Sequence, residues 1–295
     1  MKIINYALVL FLFAGCGKKL DNNKLEESAD KYEWTEWHGI YFEKFDSTNT
    51  NEDRFNTNNQ IYRTGTKLTY VYQYIDKGGK RFLFTDDGNG TREHGLWKLV
   101  EISKADSNSF EFVRTTVKNG TIPNFYQTLI DYDIIRKNNS LAYHAGTGIV
   151  ENEKNVWIHP PRMMNFKILE LNPFPYIRKP YAIGDSWTWE LEIGGQWGDK
   201  SWRTWSGDIS NIYKYEITET LKLNSRLGIL DCFVIESKAN SELGKTSLTA
   251  YFNEIYGFVK LDYTNIDSSK IVLELANYEV ELAKPYNFFN GNARN

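Results

Sequence analysis

Four histidines are the first residues to weigh for chemistry, and they are scattered: His38, His94, His144 and His159. None stands in an HxH, HxxxH or HExxH pair, the spacings that put two imidazoles on one metal ion. The sequence therefore calls for no metal and no cofactor. His159 has the most suggestive neighbours. It lies in WIHPPR, with Trp157 before it and Pro160, Pro161 and Arg162 after it. Two prolines hold such a segment extended. An imidazole and a guanidinium on a stiff rim could meet an anionic ligand, although a loop histidine beside a packed Trp is the plainer account. Acidic pairs also occur, for example Asp199 with Asp208 and Glu190 with Glu192. Glycoside hydrolysis needs two carboxyls at a fixed spatial gap. Spacing along the chain does not give that gap, and residues two apart on a strand share one face, here a solvated one. No G-x-S-x-G elbow, Ser-x-x-Lys set or phosphate-cradling glycine loop is present. No catalytic residue is assigned.

Tryptophan is the more informative residue. QWGDKSWRTWSGD places Trp197, Trp202 and Trp205 in a Gly-containing, loop-like stretch. Aromatic rings flanked by Asp and Arg stack on sugar faces and line apolar clefts. The alternative is that these rings fold back and cap the open end of a sheet. The candidate ligand-binding set is Trp157, His159, Arg162, Trp197, Trp202 and Trp205, for an apolar or glycan ligand.

The two cysteines have different jobs. Cys16 follows Lys2, an apolar run from Ile3 to Phe13 broken by Asn5, and the small residues Ala14 and Gly15. That run is shorter than the ~20 residues a membrane-spanning helix needs, and the layout is that of a secretory signal. The small-small-Cys ending resembles a bacterial lipobox, with Phe13 where Leu is usual. The resemblance implies cleavage before Cys16, acylation of its thiol (palmitate among the chains) and anchoring in a lipid bilayer. Gly17 is not the inner-membrane retention residue, Asp, so the resemblance favours an outer membrane, periplasmic or surface face open. Cys232 sits in the apolar run LDCFVIES and reads as core.

Composition narrows the class. The net charge is −3 and becomes −4 when Lys2 leaves with residues 1–15. No basic stripe exists, so nucleic acid is a poor partner. Aromatics make up 15% of the chain, as suits a β-prone, turn-rich protein.

The elements that must position these residues are strands. In NIYKYEITETLKL, Tyr213, Tyr215, Ile217, Leu221 and Leu223 share one face, and Lys214, Glu216 and Thr218 the other. SWTWELEI alternates in the same way, and KLTYVYQY, LWKLVEI, SFEFVRTTV, FVKLDYT and KIVLELANYEV read as further strands. KGGK, DDGNG and KNG read as turns. The expected fold is all-β: curved antiparallel sheets, half-barrel or sandwich. A weak internal repeat aligns Tyr62-x-x-Gly65 through Tyr70 with Tyr181-x-x-Gly184 through Trp189, then Phe112-Val113 with Phe233-Val234. It suggests two similar tandem β units. The expected organisation is a signal peptide (1–15), a polar tether (16–32), an N-terminal β unit (33–155), a Pro-rich connector or rim (156–180), a C-terminal β unit (181–284) and a tail (285–295).

The runs YAIGDSWTW (181–189), GILDCFVIES (228–237) and YFNEIYGFVKL (251–261) resemble uncharacterised Bacteroidota lipoproteins. Those are thought to carry strongly curved antiparallel sheets, related to the lipoprotein-carrier half-barrel. The resemblance implies a fold and brings no catalytic residue. The functions weighed are an anchored, non-catalytic binding module, a structural or assembly lipoprotein binding another envelope protein, and third a hydrolase with acidic residues in a cleft.

Overall fold

The computed structural model describes residues 33–44, 59–86, 97–122 and 126–280. Cys16, His94, the signal, the tether and the tail lie outside them. In chain order the strands are β1 (Glu33–Trp37), β2 (Ile40–Lys44), β3 (Thr66–Ile75), β4 (Arg81–Thr85), β5 (Lys98–Glu101), β6 (Phe110–Ile122), β7 (Gln127–Arg136) and β8 (Leu141–Glu151). They continue with β9 (Asn155–Ile158), β10 (Tyr176–Arg178), β11 (Ser186–Gly194), β12 (Asp208–Ser225), β13 (Gly228–Ser241), β14 (Gly244–Asn253), β15 (Gly257–Thr264) and β16 (Lys270–Val280). Alternation sets their faces. In β12, Tyr213, Tyr215 and Ile217 are buried while Lys214 and Glu216 are exposed, and Trp187 and Trp189 are buried in β11.

β1 and β2 form a separate hairpin, and the other strands make one antiparallel sheet of 14. Its order is β10-β9-β8-β7-β6-β3-β16-β15-β14-β13-β12-β11, with the hairpin β4-β5 attached beside β3. The sheet is curved and does not close. Register shifts at Ile217/Glu219, Tyr251/Phe252 and Leu275/Asn277 mark bulges, which bend strands and increase twist. KNG, expected as a turn, is instead part of β6. Between the pairs Val117↔Ile130 and Thr121↔Thr128, β6 carries more residues than β7, so Asn119 and Gly120 serve an irregularity within the ladder rather than a reversal of the chain.

The first repeat match has a structural counterpart. Gly65 (φ +86°) and Gly184 (φ +91°) open β3 and β11. Each donates its N–H to the neighbouring strand, to Val117 O at 2.9 Å and Ile217 O at 2.8 Å. Phe112-Val113, however, lies in β6, next to β3, whereas Phe233-Val234 lies in β13, one strand beyond the neighbour of β11.

The Pro-rich segment leaves β9, runs through the interior as a 3₁₀ helix (Met164–Leu171), and emerges as β10. Phe166 packs on Tyr72, Phe84 and Trp97 of one wing of the sheet. From the other wing, Tyr213 OH donates to Glu170 O at 3.3 Å, Asn211 to Leu171 O at 3.2 Å and Thr246 to Leu171 O at 2.8 Å. Asn172 in turn donates to Ser247 O and Thr264 O. A buried non-ladder segment must find partners for its backbone, and these inward side chains supply them. Burial of Phe166, Ile168, Leu169, Leu171 and Phe174 stabilises the fold by about 1.5–3 kcal/mol each.

The two edge strands approach without pairing. Tyr176 of β10 lies 5.5 Å, ring to ring, from both Trp187 of β11 and Tyr215 of β12. The β1-β2 hairpin sits over this seam. Its Gly39 carbonyl accepts from Tyr176 OH and Arg178, and Asn155 Oδ1 accepts from Tyr41 N at 2.8 Å. Gly39 has φ +101°, and a Cβ there would lie 2.6 Å from Thr188 O of β11. Only glycine fits.

Candidate functional site

At the inner side of the seam is a cavity of about 220 Å³. β9 delivers Trp157, whose ring contacts Phe174 and Trp189, each at 5.8 Å. Pro160 and Pro161 cannot donate to a ladder, so the chain turns inward after His159 and carries His159, Arg162 and Phe174 onto the cavity wall. Trp189 and Leu191 of β11 face them, and Trp37 comes from the hairpin. Gln127 of β7 and Thr147 of β8 complete the lining. Both are more than nine-tenths buried, and neither side chain has a hydrogen-bond partner among the described residues. Their polar atoms are not among the sealed, unsatisfied ones, so they open onto the cavity. Gln127 also needs Gly148 beneath it, where a Cβ would fall 1.9 Å from its Oε1.

The polar chemistry centres on His159, Arg162 and Glu170. His159 Nδ1 is 3.0 Å from Pro160 O. A carbonyl only accepts, so the contact assigns the proton to Nδ1 and leaves Nε2 to accept from Arg162 Nη1 at 3.3 Å. Burial, then the Arg162 charge, lower the His159 pKa to about 3. Glu170, 3% exposed, has its carboxyl raised to about 8 by burial, against the pull of Arg162. Its Oε1 is 3.5 Å from His159 Nε2 and makes no hydrogen bond. Near neutral pH these are two uncharged groups in contact, not an ion pair. Arg162 has no carboxylate within ion-pair distance among the described residues. The Trp197 ring lies under its guanidinium, 5.6 Å from the ring centre.

Trp157, His159 and Arg162 are thus brought together, and Trp197 joins them through Arg162. Trp202 and Trp205 do not line the cavity. They are partly buried against Leu171, Ile193, Ile209 and Leu243, and Trp205 Nε1 donates to Ile193 O at 3.2 Å. Cys232 is buried with its thiol pushed up to about 11 by burial. Sequence reasoning passed over Gln127, Thr147 and Glu170. Only Glu170 leaves a trace in the sequence, a single carboxylate within ILEL.

A larger concavity, about 820 Å³, lies outside, between the hairpin and β11–β13. Its wall includes Glu36, Glu190, Lys214, Glu216, Glu236 and Lys238. This is the alternating outer face of the sheet, with Lys238 paired to Glu236 at 3.5 Å, and it is wet rather than enclosed.

No protein-family model matches the chain, and no curated protein matches it. Solved structures similar to it include a candidate exported protein with a YmcC-like fold from Bacteroides fragilis, at 10% identity and TM-score 0.37, covering 74% of this chain and 97% of that one. Another is a candidate lipoprotein from Parabacteroides distasonis, at 12% identity and TM-score 0.38, with the same coverage of 74% and 97%. A third is the hypothetical lipoprotein YmcC from Escherichia coli, at 9% identity and TM-score 0.33, covering 78% and 91%. At these scores the likeness is loose and brings no residue role across.

Proposed function

We propose that the chain is a non-catalytic binding protein of the bacterial envelope, held at a membrane by lipid on Cys16, that takes a small apolar or glycan ligand into the cavity beside Trp157. The observation that carries this reading is the meeting of an aromatic wall with two largely buried residues, Gln127 and Thr147, whose polar atoms open onto the cavity and have no partner among the described residues. The volume of about 220 Å³ is below the ~300–1,000 Å³ of drug-sized sites, so the ligand has a single ring. Trp157, Phe174 and Trp189 offer faces for that ring, and the amide and hydroxyl set its orientation. Anchoring rests on the Cys16 layout, since two or more acyl chains hold a protein stably where one does not.

The test compares native and denatured masses of the full chain extracted in detergent. A small extra mass that is lost on denaturation, and absent from Trp157→Ala, is the expected result. A bare native mass overturns the reading. Cys16→Ser should move the protein from the membrane to the soluble fraction, and a variant that stays with the membrane refutes the anchor.

A further inference from the structure

We infer that the cavity selects a ligand whose ring carries one carboxylate, held by the Arg162 guanidinium. This rests on the cavity being a ligand site, and adds the charge class. Three features of the site point to it. Arg162 is half-buried on the cavity wall, and no carboxylate lies within ion-pair distance of it among the described residues. A half-buried cation with no counter-charge in reach is open to an anion, and a ligand carboxylate would supply one.

The groups around Arg162 orient it without neutralising it. His159 Nε2 accepts one guanidinium N–H at 3.3 Å, and Trp197 stacks on its face. An imidazole acceptor and an aromatic face fix the plane of the guanidinium, leaving other N–H groups free for a planar acceptor, the geometry in which Arg binds carboxylate. Glu170, whose carboxyl feels the Arg162 charge, is held mostly protonated at neutral pH by burial, so it does not quench the charge.

The rest of the wall sets the body of the ligand. Trp37, Trp157, Phe174, Trp189 and Leu191 are apolar. Gln127 can donate or accept a further hydrogen bond. A ring with one carboxylate matches this division, and an aromatic monocarboxylate matches it better than a sugar acid because most of the wall has no hydroxyl partner.

Phenylacetate and its uncharged isostere phenylacetamide are the probes, titrated by calorimetry into the full chain in detergent at pH 7. Phenylacetate should bind about 10- to 100-fold tighter, the range of a charge-assisted hydrogen bond. Arg162→Gln should bring the two affinities together by weakening the acid alone. The acid–amide comparison on the wild-type chain needs no variant to fold. Equal wild-type affinities overturn the carboxylate assignment and leave the ligand cavity standing. Failure of both probes to bind at millimolar concentration, with a bare native mass, overturns the cavity reading and this inference together. Failure of both with a retained, carboxylate-free ligand mass overturns this inference alone.

Discussion

Glu170→Gln should stabilise the protein increasingly as pH rises. The Glu170 carboxyl has an ordinary value of 4.5 and is raised to about 8 in the fold by burial. Between those values the unfolded chain has lost the proton and the folded chain still holds it. The Glu170 contribution to wild-type stability therefore falls as pH rises through this window, by about 1.4 kcal/mol per pH unit where the difference is complete. Glutamine is neutral in both states and removes the slope. From pH 5 to pH 8 the variant should gain about 3 kcal/mol on wild type. The groups around Glu170 are His159, Arg162 and Tyr213. His159, lowered from 6.5 to about 3, acts with the opposite sign. The unfolded chain binds its proton first, so stability rises with pH from about 3 to 6.5, and between 4.5 and 6.5 the two slopes offset each other. Wild-type stability from these two groups should be flat there and fall only above pH 6.5, whereas the difference between variant and wild type isolates Glu170. Urea unfolding followed by tryptophan fluorescence at half-unit pH intervals measures both curves. A constant offset from pH 5 to pH 8 would show that the carboxyl ionises alike in folded and unfolded chains, and the burial account would be wrong.

Other perturbations follow from contacts described above or close to them. Glu151 accepts from the backbone N–H groups of Gln60, Ile61 and Tyr62 at 2.8–3.2 Å; Glu151→Gln turns an amide N–H₂ toward donors and should cost about 2–3 kcal/mol, read as a Tm fall of about 4–12 °C. An unchanged Tm would mean that this carboxylate does not fasten the segment. Phe166→Ala, at a site with no exposure and three aromatic neighbours, should lose about 3–5 kcal/mol; a loss below 1 kcal/mol in urea titration would show that the connector contributes little to the core. Gly39→Ala should strain the hairpin turn by at least about 1–2 kcal/mol from its positive φ alone, and amide exchange at Tyr41 and Phe42 should quicken. Unchanged exchange would show that the hairpin is not fixed by Gly39.

Strand faces were legible because the period of two survives any arrangement of the sheet. Trp187, Trp189, Tyr213 and Tyr215 pointed inward on pattern alone, and all are buried. Which strand lies beside which was not legible. β3 stands between β6 and β16, pairing Ile75 with Lys270 and Thr66 with Val280, contacts that no local pattern records. The Asn-Gly of KNG illustrates a second limit, since the same residues suit a turn and a strand irregularity. Trp157, His159 and Arg162 stood out because two prolines break the strand beside them. Trp202 and Trp205 looked free because their cover, Ile193, Ile209 and Leu243, comes from β11, β12 and the β13–β14 turn. Gln127 and Thr147 are ordinary strand residues, and only the curl of the sheet turns them into cavity lining.

The seam explains why the cavity lies where it does. Within a hydrogen-bonded ladder, neighbouring strands are about 4.8 Å apart, and their side chains leave no room between them. β9 and β10 on one edge and β11 on the other are not paired, so side chains rather than backbone must bridge the gap. Trp157 and Trp189 do this at 5.8 Å, and Tyr176 and Trp187 at 5.5 Å. An unpaired edge is an aggregation hazard unless it is covered, and the β1-β2 hairpin covers this one while placing Trp37 on the cavity wall. The same residues that keep the open sheet from pairing with another chain therefore build the pocket. Closing the seam with a continuous ladder would stabilise the edges and remove the site.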